Sequence, residues 1–326
     1  MSPKELTERI KAQAAALGLD KVGVAPAALL ERERSHLKDW LTRGYQATMR
    51  WMEKDPDRRS DPRLLVPGAH SVLSVAVNYY HPAVRPDDAD HGKISRYAWG
   101  DDYHRHLTSR IQTLFDCISQ WEPGSSGRYY VDTGPVMEKA WAVRAGIGWQ
   151  GKHTNVITRE FGSWVFLGEI ITTADLVYDT PAEDLCGTCT ACLDACPTGA
   201  IPEPYVVDAG RCISYLTIEH RGEIAHALGE RFDRWIYGCD ICQDVCPWNR
   251  FQKETQHPEY RPREGGIAPE LKEIVSLTQE DFSARFRHSP VKRTKREGLQ
   301  RNASIILRNE QKPDRSGPDT LSPGGE

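Results

Sequence analysis

The chain has 326 residues, enough for one large domain and one or two small ones, with the ordinary composition of a folded protein (39% hydrophobic, 27% charged). No apolar run approaches the length of a membrane span, and the first twenty residues, amphipathic and carrying Glu5, Glu8 and Asp20, read as a folded helix and not as a signal or transit peptide. A formal net charge of −4 argues against bulk nucleic-acid affinity but leaves room for a local basic face.

In chain order, residues 3–17 carry an apolar stripe at helical spacing, and Lys21–Ala25 predicts a short strand. Residues 29–43 predict a helix, Ala47–Glu53 a helical turn, and Asp55–Pro62 a charged loop. Ser71–Val77 has the character of a buried strand, and Pro82–His91 is a polar loop. Residues 102–121 predict a helix, in which Cys117, beside Leu114, Phe115 and Ile118, reads as a small buried hydrophobe. Tyr129–Asp132 predicts a strand ending in the turn Thr133–Pro135, and Val136–Ala145 a helix that closes on Gly146. Phe161–Thr173 is strand-rich. Strands alternating with helices predict an α/β domain over residues 1–178.

Residues 179–255 form a second domain, with loops shaped by metal more than by apolar packing and a helical insertion at Cys212–Tyr237. Residues 256–310 turn Pro-rich and then helical, and 311–326, rich in Pro, Gly, Ser and Asp, predict a disordered tail. The chain shows no internal repeat.

Eight of the nine cysteines lie in that second domain. Cys186, Cys189, Cys192 and Cys196-Pro197 follow the bacterial ferredoxin spacing C-x2-C-x2-C-x3-C-P. Cys212, Cys239, Cys242 and Cys246-Pro247 form the second set. In two-cluster ferredoxins the fourth Cys of each run crosses to the other cluster. That rule predicts one [4Fe-4S] cluster on Cys186, Cys189, Cys192 and Cys246, and another on Cys196, Cys212, Cys239 and Cys242. Two zinc sites are the competing reading, but zinc has no use for a proline after the closing cysteine. A disulfide framework suits a small secreted chain, not this one.

Outside the cysteines the signals are weaker. Asp132 sits between strand and helix, where a carboxyl is either a helix cap or a general acid, and position alone favours the cap. The run Gly146–Asn155 is Gly-rich and polar without being a phosphate-binding fingerprint. Its His153 is a candidate metal ligand but more simply a hydrogen-bonding loop residue, and Tyr103–His106 reads as a solvated helix start. Arg285, Arg287, Lys292, Arg293, Lys295, Arg296 and Arg301 stand against one acid, Glu297. They are either a phosphate-binding patch, which Arg221 could extend, or a solvated helix.

Taken together, Arg59–Leu65, Ser95–His104, Val131–Val136, Arg144–Trp149, Cys186–Ala200, Arg211–His220 and Trp235–Trp248 resemble the epoxyqueuosine reductases over nearly the whole chain. The resemblance implies an α/β (α+β) cobalamin-binding domain like that of reductive dehalogenases, a ferredoxin-like domain with two [4Fe-4S] clusters, and a short helical C-terminal region. It implies reduction of epoxyqueuosine to queuosine at the wobble position of tRNAs with GUN anticodons, by cob(I)alamin reduced through the clusters. Asp132 falls on the family's proton-donor position, which reverses the capping reading. Arg59, Ser95, Asp132, Lys152, His153, Asn155, Val156, Leu167, Ser214 and Asp240 fall in or beside stretches matching its cobalamin pocket. His220, Arg221, Lys292, Arg293 and Lys295 are the candidate tRNA contacts.

Protonating the leaving oxygen requires a desolvated Asp132 carboxyl with a raised pKa. The expected partners are tRNA and a flavodoxin- or ferredoxin-type electron donor, for a cytoplasmic monomer without a membrane span. The competing functions are a cobalamin-dependent reductase of a small organic electrophile, such as a reductive dehalogenase, and an electron-transfer module with no substrate of its own.

Overall fold

A computed structural model describes residues 1–310; the expected tail at 311–326 lies outside the described residues. Helix α1 (Pro3–Ala16) starts at a capping box in which Ser2 accepts from the Glu5 N–H and the Glu5 carboxylate accepts from Ser2. There follow β1 (Lys21–Pro26), α2 (Glu31–Thr42), the short helix α3 (Pro56–Ser60), β2 (Ser71–Asn78), β3 (Lys93–Ile94), α4 (Tyr103–Trp121), β4 (Gly127–Tyr130), α5 (Glu138–Arg144), β5 (Trp149–Gln150), β6 (Val156–Ile157) and β7 (Val165–Thr172). The remainder contains α6 (Ala191–Asp194), α7 (Ile213–Ile218), α8 (His226–Gly229), β8 (Trp235–Tyr237), α9 (Ile241–Asp244), α10 (Leu271–Ser276), α11 (Gln279–Arg285) and α12 (Lys295–Glu310).

The main sheet has the order β1-β2-β7-β4, and each neighbouring pair is antiparallel. The arrangement is therefore α+β, and the alternation of helix and strand along the chain builds no parallel sheet. Strand β2 is buried at every position because both faces are covered. Leu73, Val75 and Val77 pack with Leu6 and Ile10 of α1 and Leu107, Ile111 and Leu114 of α4. Val72 and Ala76 on the other face pack with Trp141 and Ala142 of α5. Helix α5 ends as expected, at Gly146 with φ +73, a conformation cheap only for glycine.

A second core ties the parts together. Ile94 and Trp99 pack with Ile213, Leu216, Phe232, Trp235 and Tyr237, and with Leu271, Phe282, Leu299 and Ile306 of the C-terminal helices. Strand β3 pairs in parallel with β8, so residues before and after the first cysteine set share one two-stranded sheet.

Three local expectations are corrected. Asp55–Pro62 contains α3, started by Pro56 at its first position. Cys212–Tyr237 is not all helical, since it ends in β8. Cys117 is only half-buried, on the flank of the α4 stripe.

Candidate functional site

The two cysteine runs fold alike. The short helices α6 and α9 carry Cys192 and Cys242 and pack against one another. All eight thiols are free. Burial pushes the Cys192 thiol up to about 11, and its charged neighbours are Cys246, Cys186 and Cys189. Cys246 in turn neighbours Cys186 and Cys189. Burial also raises Cys242, whose neighbours are Cys212, Cys192 and Cys196, and Cys239, whose neighbours are Cys242 and Cys212. The eight thiols thus lie close enough to act on one another electrostatically across the two runs.

Thiols held up by burial must be deprotonated by the metal they bind, so cationic iron resolves their poor solvation. Backbone N–H groups are also aimed at sulfur: Ala200 donates to Cys196 Sγ at 3.2 Å, and Ser214 and Tyr215 donate to Cys212. Such N–H···S bonds suit a cluster. Cys189 is exposed, which puts the first set at the surface.

Lys152 is buried, and its ammonium donates to the carbonyls of Gly187 (2.7 Å) and Cys189 (2.8 Å). It therefore holds the loop of the first cysteine set. His153 is also buried; its Nδ1 accepts from the Asn155 N–H, its Nε2 has no partner, and burial lowers its pKa to about 4. Asn155 Oδ1 accepts from Lys139 Nζ at 3.1 Å, and Lys139 lies within electrostatic reach of Asp132, Cys212, Cys242 and His153. These contacts bring Asp132, Lys139, His153 and Asn155 to the side of the molecule that carries the second cysteine set. A neutral imidazole with an orphaned nitrogen, beside an ammonium and a carboxamide, fits a large polar-rimmed cofactor there.

Asp132 lies two residues beyond β4 with φ +55, and its side chain is 62% exposed. The expected desolvated carboxyl is therefore corrected: in the protein alone this carboxylate faces water. It accepts from Tyr103 Oη at 3.0 Å, and its backbone N–H donates to Glu138 Oε1. His104 Nε2 lies 3.4 Å from Oδ2, with His104 Nδ1 2.7 Å from Asp102. Burial alone would lower the His104 pKa, but the Asp102 and Asp132 carboxylates outweigh it and hold it at about 9. The Tyr103–His106 start is thus only partly solvated: Arg105 is exposed, whereas Tyr103 stacks on Phe166 at 4.2 Å. Sequence reading missed Tyr103 and His104 because a helix start says nothing about which loop packs beside it.

Glu138 and Glu169 were missed as well. Glu169 is fully buried in β7, opposite Ser74 of β2. A carboxylate inside the apolar strand VFLGEIIT was the available signal.

Other expected cofactor residues are occupied within the protein. Asp240 is buried and accepts from Ser95 Oγ, from the Arg96 N–H at 2.8 Å and from the Arg85 guanidinium. Arg59 donates to the carbonyls of Trp51 and Lys54. Val156 is buried and Leu167 partly buried against the core beneath α5. Ser214 lies in the first turn of α7, which Cys212 caps.

The basic segment divides. Arg293 forms a two-pronged pair with Glu219, Arg301 donates to the carbonyls of His220, Gly222 and Leu216, and Arg221 donates to those of Ile218, Arg293 and Thr294. His220 is turned to the Glu223 carbonyl. These residues brace the loop, whereas Lys292, Lys295 and Arg287 face solvent. Trp51, 42% exposed, lies 5.7 Å from the Arg293 guanidinium, and Arg293 is within electrostatic reach of Asp132.

A family model described as a 4Fe-4S double cluster binding domain matches residues 185–249, and one described as Epoxyqueuosine reductase QueG, DUF1730 matches residues 59–133. Similar relatives are the epoxyqueuosine reductases of Synechocystis sp. (49% identical over 88% of this chain and 100% of the relative) and Cellulophaga algicola (45%, 94% and 100%). Among solved structures, epoxyqueuosine reductase with an epoxyqueuosine-modified tRNA-Tyr stem loop superposes with a TM-score of 0.88 at 34% identity, over 94% of this chain and 81% of that one. The Bacillus subtilis epoxyqueuosine reductase, with its aspartate catalytic loop swung out of the active site, gives 0.88 at 32% identity, over 94% and 82%.

Proposed function

Because this chain belongs to the epoxyqueuosine reductase family, we propose that it reduces epoxyqueuosine to queuosine in the anticodon loop of tRNA, at the wobble position of GUN anticodons, with Asp132 as the proton donor. The observation that carries the residue assignment is the exposed Asp132 carboxylate beside His104, on the side of the second cysteine set. Turning an epoxide into an alkene consumes two electrons and two protons and releases water. When bound, two [4Fe-4S] clusters pass electrons singly and a cobalamin gathers the pair that the epoxide needs. His153, Asn155 and Lys139 would hold that cofactor, since they leave a buried imidazole N–H donor without a partner beside a carboxamide and an ammonium.

The chain's own work is proton delivery and placement. Substrate covering Asp132 takes away its water and favours the protonated carboxyl. That carboxyl gives its proton to the epoxide oxygen as the C–O bond breaks. The His104 imidazolium, 3.4 Å away, pairs with the carboxylate left behind, while Asp102 fixes the ring through Nδ1. Lys292, Lys295 and Trp51 supply phosphate contacts and a stacking face to a loop whose modified base is turned out. The exposed Cys189 offers a flavodoxin or ferredoxin donor access to the first cluster. The reading extends to a monomer acting in the cytoplasm, where its tRNA substrate is.

The test is mass spectrometry of nucleosides from epoxyqueuosine-containing tRNA, after anaerobic incubation with reconstituted protein, a strong reductant and cobalamin. Queuosine that forms only with cobalamin is the expected result. No queuosine from protein with about eight irons and bound cobalamin would overturn the substrate assignment.

A further inference from the structure

We propose that Glu138 is the positioning residue for Asp132, and that it works through a proton shared with Glu169. Asp132 adopts φ +55, a left-handed conformation unfavourable for a residue with a side chain. Such a backbone persists only where its surroundings hold it. Here the hold is the Glu138 carboxylate, which accepts the Asp132 N–H from the first turn of α5.

Beneath Glu138 lies Glu169, with no exposed surface. Ser74 Oγ donates to Glu169 Oε1 at 3.3 Å, while Glu169 Oε2 has no hydrogen-bond partner. Helix α5 packs on β7, which sets the Glu138 carboxyl beside that of Glu169, where each acts on the other. Two carboxylates can share a hydrogen bond only when one carries a proton. Burial first, and the neighbouring carboxylates second, push both groups upward, so the proton stays on the pair at neutral pH. Asp132, Tyr103 and Glu169 face Glu138 with charge or a titratable group, Lys139 on the same helix is a cation near it, and the His104 imidazolium stands on the far side of Asp132.

The consequence is a latch. With the shared proton in place, Glu138 is held over the sheet and keeps its other oxygen on the Asp132 N–H. Loss of that proton at high pH sets two buried anions against each other. Glu138 then turns toward water, and the 131–137 loop loses its anchor. The role rests on the reading of Asp132 as proton donor.

The experiment is hydrogen exchange of the peptide spanning residues 128–137, followed by mass spectrometry, in the anaerobic cluster-loaded protein, with kcat and KM measured in parallel. The variants are Glu138→Gln, Glu138→Ala and Asp132→Asn. Glu138→Gln can accept the Asp132 N–H through its oxygen and donate to Glu169 through its nitrogen. It is expected to keep wild-type protection at neutral pH and to retain it at alkaline pH, where the wild type loses it. Glu138→Ala is expected to lose protection, and its kcat to fall on the order of 10–100-fold with KM little changed, as misplacement of a reacting group does.

Unchanged protection and kcat in Glu138→Ala would overturn the positioning role. Should that variant fail to fold, the alkaline comparison of wild type with Glu138→Gln still decides, and equal loss in both overturns the shared proton. Asp132→Asn should retain protection and lose turnover. Normal turnover there would sink the proton-donor reading alone and leave the latch result standing.

Discussion

His104 places Nε2 3.4 Å from Asp132 Oδ2 and Nδ1 2.7 Å from Asp102 Oδ1, so one imidazole bridges the cap of α4 and the loop after β4. Its pKa in the folded protein, about 9, is raised above the ordinary 6.5. The folded state therefore holds the proton more tightly, and the stabilisation is fully present below 6.5 and lost as pH rises through 9. The difference in Tm between wild type and His104→Ala should shrink steadily over that window. A difference independent of pH would show that the imidazolium is not what joins the two carboxylates.

Asp132→Asn keeps the shape of the side chain and its place beside Tyr103 but removes the acid. Turnover should fall by about 10²–10⁴-fold, the usual worth of a general acid. Iron and cobalamin content should be unchanged, as read by metal analysis and the visible spectrum. Turnover at the wild-type rate would move the proton source elsewhere.

Asp240 is the shared acceptor for Ser95, the Arg96 N–H and Arg85. The Arg85 guanidinium lies over Trp99 and Trp235, where water cannot replace a lost partner. Asp240→Ala should destabilise the protein by about 3–5 kcal/mol, the cost of leaving a buried charge unpaired. Anaerobic denaturant unfolding measures this, and a loss under about 1 kcal/mol would class the network with surface ion pairs.

Lys152 donates to two carbonyls within the first cysteine run, Gly187 and Cys189. Lys152→Met removes both of these hydrogen bonds and should loosen that loop. The reconstituted variant should carry about four irons in place of about eight, with one of two cluster signals missing from the EPR spectrum. Full loading would show that the cysteines hold the loop unaided.

Lys292 and Lys295 face solvent, whereas Arg293 and Arg221 are spent on Glu219 and backbone carbonyls. Replacing both lysines with Ala should reduce the slope of log K against log salt for tRNA binding by about 1 for each phosphate no longer neutralised. Their removal leaves folding intact. An unchanged slope would return these lysines to ordinary surface.

The eight cysteines and the double-cluster domain they build were legible in the chain because a cluster imposes ligand spacing locally, within a few residues of loop. The helices and strands around Asp132 were legible for the same reason: apolar periodicity is a local property. The polar relations were not. Asp132 meets His104 across 28 positions, Glu138 meets Glu169 between a helix and a strand, and Asp240 reaches back to Ser95 and Arg85. No spacing rule reports such partners, because only the packing of β7 under α5 and of β3 against β8 brings them together. The same packing showed that half of an apparently uniform basic segment braces the protein, and that the expected acid stands in water until something covers it. Burial and pairing are properties of the assembled fold, whereas residue type and spacing are properties of the chain.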